Sequence, residues 1–325
     1  MSGRHRLAAL PAVLLAAAGV AALVFLLKPP AAGEPLRIVS SEQCLACHAD
    51  VAAEWQGSHH AIAYTNPEVR KLSNDFANQE CIACHAPQPV LDFAPGERVL
   101  ARQAGRGSGV DCLSCHLAPD GGVATSNPRP NADAPCRPRF EGRMDSVDHC
   151  AACHNQHQTV DQWRAAPPER RGENCLHCHM PEVFRAGGKR GRDHAFRASH
   201  DLAALQSAVA LRGGGGGAGA WVEVENVGAG HHFPTDERSR AADVQVRWAD
   251  ADGAWSDWQN LHRFRQPYRD ETHLRDTLLP AAETWRGSAP APDGATAGEA
   301  RLLYRTNPYL PDAEARELHR VPLKP

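Results

Sequence analysis

Ten of the 11 cysteines fall in five copies of one pattern. The copies are Cys44, Cys47 and His48; Cys81, Cys84 and His85; Cys112, Cys115 and His116; Cys150, Cys153 and His154; and Cys175, Cys178 and His179. Composition alone would give about 0.02 copies of C-x-x-C-H. The chemistry that requires this spacing is c-type haem attachment: two thiols add to the two vinyl groups of one porphyrin edge, and the next imidazole lies under the iron as its proximal ligand. Zinc knuckles and redox dithiols also use C-x-x-C, but neither needs a histidine directly after the second cysteine. Five covalently attached haem c groups are therefore expected, held by these fifteen residues, with His48, His85, His116, His154 and His179 on iron. Cys136 stands apart and reads as a buried free thiol.

Five porphyrins need elements to position them, and the chain offers few conventional ones. Among 325 residues there are 27 Gly and 25 Pro, and aromatic residues make up only 6%. The segment from Cys44 to His200 has about 31 residues per haem, too few for a separate core around each porphyrin. The haems must pack on one another and act as the core, wrapped by short helices and irregular loops. A helix is expected from Ser40, Ser41 and Glu42 through the first motif towards Trp55, with serine at its N-cap. Residues 102–110 and 119–138 read as loops.

Beyond residue 205 cysteines cease and strand patterns appear. Val222 and Val224 alternate with Glu223 and Glu225, Val244, Val246 and Trp248 with Gln245 and Arg247, and Leu302 and Tyr304 with Arg301, Leu303 and Arg305. A strand over 208–211 and another over 221–227 would flank a glycine-rich hairpin loop. The expected fold class is α+β: a mostly α and irregular pentahaem cytochrome domain over 41–204, then a small β-sandwich over 205–325.

At the N-terminus, Arg4 and Arg6 precede an uncharged run over 7–27, about 30 Å long as a helix and therefore of bilayer thickness. A transmembrane signal anchor is favoured over a cleaved signal, with residues 1–6 cytoplasmic and 28–40 a linker. Either reading exports the cysteines, which places the protein at a bacterial inner membrane with its haem and β domains periplasmic.

The 18 histidines exceed what five proximal positions use, while methionine is scarce at 3, so most distal ligands are expected to be histidines and the potentials low. Several fragments carry a resemblance: Trp55, Ser58 and His60 after the first motif; Gly109, Val110 and Asp111 before Cys112; Cys153 to His157; Cys175 to Pro181; Arg192, His194 and Phe196 with Ser199, His200 and Asp201; and Gly230 to Thr235. Over about residues 40–240 the chain resembles the multihaem cytochrome c family that includes cytochrome c-554. That resemblance implies His60, His194, His200 and His231 as distal ligands and His157 as the fifth, with His59 and His232 as alternatives to their neighbours. If His231 ligates iron, the β domain closes one haem.

Two functions are consistent with this reading. In the first, closely packed bis-His haems carry electrons between a membrane donor and a periplasmic or extracellular acceptor, with no catalytic residues. In the second, one haem has an open distal position and acts on a small nitrogen or sulfur oxide. The carrier is favoured. A formal net charge of −3 gives no basic surface for nucleic acid.

Overall fold

A computed structural model describes residues 36–171, 174–215, 219–235 and 238–325. The apolar run over 7–27 lies outside these residues; among those described, no helix is long and apolar enough to cross a membrane.

The cysteine-rich part is a string of short helices: α1 (Glu42–Leu45), α2 (Ala49–Gln56), α3 (Pro67–Leu72), α4 (Ile82–His85), α5 (Cys112–His116), α6 (Val147–His154), α7 (Thr159–Ala165), α8 (Pro168–Arg171) and α9 (Cys175–His179). Each C-x-x-C lies in or against a helical turn, so its two thiols, three residues apart, share one face. Polar caps start several of these turns. Asp111 accepts from Ser114 N while Ser114 Oγ accepts from Asp111 N, a reciprocal capping box ahead of Cys112. Asn174 caps α9 by accepting from Leu176 N. The expected helix from Ser41 to Trp55 is broken into α1 and α2. Ser41 makes no cap bond; its hydroxyl accepts instead from Leu113 N and ties the first motif to the third.

Two short β pairs were not foreseen: β1 (Ala124–Thr125) with β2 (Arg139–Phe140), and the hairpin β3 (Glu182–Arg185) with β4 (Lys189–Arg192). Side-chain cores here are minimal. One comprises Phe76, Ile82 and Ala86, another Val90, Val99 and Ala152. So little apolar contact suits an interior built around prosthetic groups.

Helix α10 (Leu202–Ala208) leads into the β region, and its Leu205 packs in the β core, so the expected boundary at 205 falls within this helix. Strands β5 (Ala210–Gly214), β6 (Ala220–Glu225) and β9 (Thr284–Ala289) form one antiparallel sheet, ordered β5-β6-β9. Strands β7 (Ala241–Ala249), β8 (Gln259–Phe264), β10 (Ala297–Arg305) and β11 (Arg316–Leu323) form the other, ordered β11-β10-β7-β8. Val222, Val224, Val244, Trp248, Phe264 and Leu302 fill the space between the sheets. The β-sandwich is as expected, and β5 pairs antiparallel with β6 on either side of the glycine-rich stretch, of which residues 216–218 lie outside those described; the first strand starts two residues later than expected because α10 takes up Ala208.

Leu303 and Arg305 depart from the expected outward alternation, for both are 2% exposed. The outer face of the sheet is covered there by the 306–315 loop: Arg305 donates to Leu310 O and to Asp312, and Arg263 donates to Pro308 O.

Candidate haem sites

Imidazole orientation is set by backbone acceptors. Nδ1 of His85 lies 2.8 Å from Ala63 O, that of His116 2.9 Å from Ala124 O and that of His179 2.9 Å from Arg197 O. Outside the motifs, Nδ1 of His194 lies 2.8 Å from Arg192 O and that of His231 3.0 Å from His232 O. A carbonyl only accepts, so Nδ1 carries the proton in each ring and Nε2 is left as a lone-pair donor for a metal. Burial pushes His116 and His194 below the usual imidazole range, keeping them neutral, the form that ligates.

Three pairs of rings then face one another. The centroids of His60 and His154 are 6.1 Å apart, those of His116 and His194 6.3 Å, and those of His179 and His231 6.4 Å. An iron bound by two opposed imidazole nitrogens at about 2.0–2.1 Å each, with each nitrogen about 1.1 Å from its centroid, sets the centroids about 6.2–6.4 Å apart. The residues present therefore fit a metal held axially between two imidazoles. Among the described residues no three His, Cys, Asp or Glu side chains converge as a metal cluster. A haem iron needs only two protein ligands, since the porphyrin supplies the other four.

Each facing ring is braced by residues outside the attachment motifs. Beyond His60, Gly109 adopts φ +61°, and a Cβ there would lie 2.4 Å from His60 O. This close approach lets Val110 N donate to His60 O at 2.9 Å, while Trp55 Nε1 donates to Val110 O at 2.8 Å. Gly109→Ala should destabilise the fold by roughly 1–3 kcal/mol through backbone strain and displace His60. Thermal unfolding followed in the Soret band would measure this, and an unchanged midpoint would refute the role assigned to the glycine.

The ring of His194 is held by an ion pair between α2 and the β3–β4 hairpin. Arg185 donates to both carboxylate oxygens of Glu54, at 2.9 and 2.6 Å, and Glu54 also accepts from His194 N at 2.9 Å. The Arg185 guanidinium accordingly holds the Glu54 carboxyl below its ordinary range. For His231 the brace is Asn226, fully buried, whose Nδ2 donates to His231 O at 2.9 Å and Leu279 O at 3.2 Å. Gln162 of α7 accepts from His232 N and the Thr235 hydroxyl, joining the helical part to this loop.

Of the expected distal residues, His60, His194 and His231 therefore stand opposite motif histidines, and it is His60 and His231 rather than His59 and His232 that do so. His157 ends a 3-10 turn (Asn155–His157) directly after His154 and acts electrostatically on Cys84. His200 stacks face to face on His59, with centroids 3.4 Å apart, beside a cavity of about 390 Å³ also lined by Glu68, Tyr304 and Arg316. That separation is too small for an iron between the two rings.

The cysteines of different motifs approach in pairs. The thiol of Cys44 donates to Cys112, that of Cys153 to Cys84 and that of Cys150 to Cys175; these bonds lower each acceptor thiol to about 7 and raise the donors. Cys115 acts electrostatically on Cys150 and Cys153. As thioethers the sulfurs would have no proton; their closeness brings the first motif beside the third, and the fourth beside the second and fifth.

Residues 43–117 match the family described as cytochrome c554 and c-prime. No match is found among curated protein sequences. The fold is similar to that of a penta-heme cytochrome c552 from Thermochromatium tepidum, with a TM-score of 0.69 and 20% sequence identity, covering 89% of this chain and 100% of that one. Five attachment motifs, a cytochrome c554-type segment over residues 43–117 and the fold of a penta-heme cytochrome support a chain that carries several covalently bound haem c groups.

Proposed function

We propose that the protein is an electron carrier in which five haems, fixed at Cys44/Cys47, Cys81/Cys84, Cys112/Cys115, Cys150/Cys153 and Cys175/Cys178, form one relay. Bound haem supplies reversible one-electron change at iron. The chain's own residues do the rest. His154 with His60, His116 with His194, and His179 with His231 would each hold an iron between two imidazoles, while His157, beside Cys84, is the ligand proposed for the haem of His85. Nδ1–H bonds to carbonyls keep the rings of His116, His194, His179 and His231 from turning, which limits rearrangement on electron transfer. The observation that carries this reading is the trio of facing imidazoles, because an axially filled iron has no position for a substrate.

The β-sandwich acts as a clamp, since it brings His231 to His179 and Arg316 donates to His200 O at 2.7 Å. The run over 7–27 would anchor the relay to the inner membrane, with a membrane donor and an extracytoplasmic acceptor as redox partners.

Low-temperature electron paramagnetic resonance of the fully oxidised protein tests this. The interplanar angles are 8° for His179 and His231, 27° for His116 and His194, and 55° for His60 and His154. Near-parallel rings split the iron d orbitals most, so the first pair should give the most rhombic low-spin signal and the last the most axial. High-spin signals from these three haems would defeat the assignment and favour catalysis at an open iron.

A further inference from the structure

Arg102 belongs to no attachment motif and opens a segment that reads as loop, yet three motifs meet at it. Its backbone N donates to Ala86 O at 2.8 Å, and Ala86, fully buried, directly follows His85 at the end of α4. Its guanidinium reaches two further places: Nη1 donates to the Asp111 carboxylate at 2.8 Å, and Nη2 donates to Gly109 O. Asp111 is the N-cap of α5, so the first contact borders the third motif. The second grips a peptide group that is held from both ends. Its oxygen, Gly109 O, accepts from Arg102, and its N–H, that of Val110, donates to His60 O at 2.9 Å. The pair is sheltered, with the Asp111 side chain 5% exposed and that of Arg102 19%. Nε of Arg102 is buried without a hydrogen-bond partner. Buried donors are normally satisfied, so this guanidinium sits where its outer nitrogens serve residues 109–111 and not where its own needs are all met.

We infer that Arg102 is a positioning residue shared by three haem sites: its backbone is seated on the second, and its side chain sets the attachment helix of the third and the His60 ring of the fourth. This rests on the axial pairings of His60 with His154 and of His116 with His194 proposed above. The planar guanidinium makes the sharing possible, because two nitrogens fixed in one plane meet two acceptors at once, whereas an ammonium on a flexible stem is a single point charge. The haems of His154 and His116 therefore respond together to a change at one residue that ligates neither. The haem of His179 does not respond, since its facing ring, His231, is held by Asn226 instead.

The test uses electron paramagnetic resonance and cyanide binding on the haem-loaded protein with Arg102→Leu, Arg102→Lys and, as control, Arg98→Leu, which removes an exposed pair with Glu80. The unaltered protein is read first: absence of its three low-spin signals would overturn the axial pairings and the shared role with them. In Arg102→Leu the most axial and the intermediate signals should both shift while the most rhombic stays. Cyanide, which must displace His60, should bind the His154 iron about tenfold faster, as for the loss of one charge-assisted hydrogen bond. Arg102→Lys, drawn to the Asp111 carboxylate, should restore the intermediate signal and leave the most axial one displaced. Arg98→Leu should move none of them. Unchanged signals and cyanide kinetics in Arg102→Leu would overturn the inference and leave the pairings standing. Equal shifts of all three signals would also overturn it, by making Arg102 a general support of the fold. If Arg102→Leu does not mature, Arg102→Lys decides: a displaced His60–His154 signal beside an intact His116–His194 signal supports the shared role, and parental signals from both pairs overturn it.

Discussion

His60→Ala should leave the protein with all its haems but with one high-spin, ligand-binding iron and a broken relay. The substitution removes one of the two imidazoles whose centroids stand 6.1 Å apart and leaves His154 as sole protein ligand. Axial ligands are the strongest lever on haem potential, spanning about 0.8 V across ligand types, so losing one should move this haem by on the order of 0.1 V. The position makes the effect large. The haem proposed at His154 would be attached through Cys150, which lies close to Cys175, and Cys153, which lies close to Cys84, so it would adjoin both the fifth and the second haems. A displaced potential at this junction traps the electron for every route that crosses it. Stopped-flow reoxidation after full reduction should be slowed at least about tenfold for the haems beyond it, and cyanide should bind one iron per chain. His59→Ala is the control, because His59 faces no motif histidine at an iron-sized gap. If His60→Ala bound no cyanide and reoxidised like the parent, the axial assignment would fail.

The attachment motifs are legible in the sequence because covalent chemistry dictates their form: two vinyl groups and one iron demand two thiols and an imidazole at fixed spacing. The β-sandwich was legible because strands buried on one face alternate. The facing imidazoles were not legible from spacing, since each comes from a remote stretch of chain; only the resemblance over residues 40–240 singled out His60, His194 and His231. Glu54, Arg185 and Asn226, which set those rings, were invisible for a related reason. A bidentate ion pair between α2 and the β3–β4 hairpin has no local signature, and a buried asparagine reads as a turn residue. Leu303 was assigned outward because alternation assumes that solvent covers the far face of a sheet. Here the 306–315 loop covers it, drawn down by Arg305 and Arg263, so polar residues became a buried network.

That network supplies the second large effect, for Asp243→Ala should unfold the sandwich before it touches any haem directly. The Asp243 side chain is 1% exposed and lies 2.6 Å from Arg263 Nε through one oxygen and 2.6 Å from Arg305 Nε through the other. Arg305 is itself 3% exposed in its side chain. Removing the carboxylate strands a buried guanidinium, a loss of about 3–5 kcal/mol. That is a large part of the stability of an ordinary domain, typically about 5–15 kcal/mol. Chemical denaturation followed by tryptophan fluorescence should show the midpoint fall accordingly, since Trp248 lies in the sandwich core. The consequence reaches the relay through Asn226: once the sheets part, its bonds to His231 O and Leu279 O are lost and the ring opposite His179 is no longer held. Under mild denaturant, Asp243→Ala should therefore lose one low-spin signal, the most rhombic, while the signals from the His60–His154 and His116–His194 pairs persist. Simultaneous loss of all three would mean that the sandwich supports the whole haem stack and is more than a clamp on its last member. A midpoint shift below about 1 kcal/mol would mean that the buried charges are hydrated and that the 306–315 loop does not seal them.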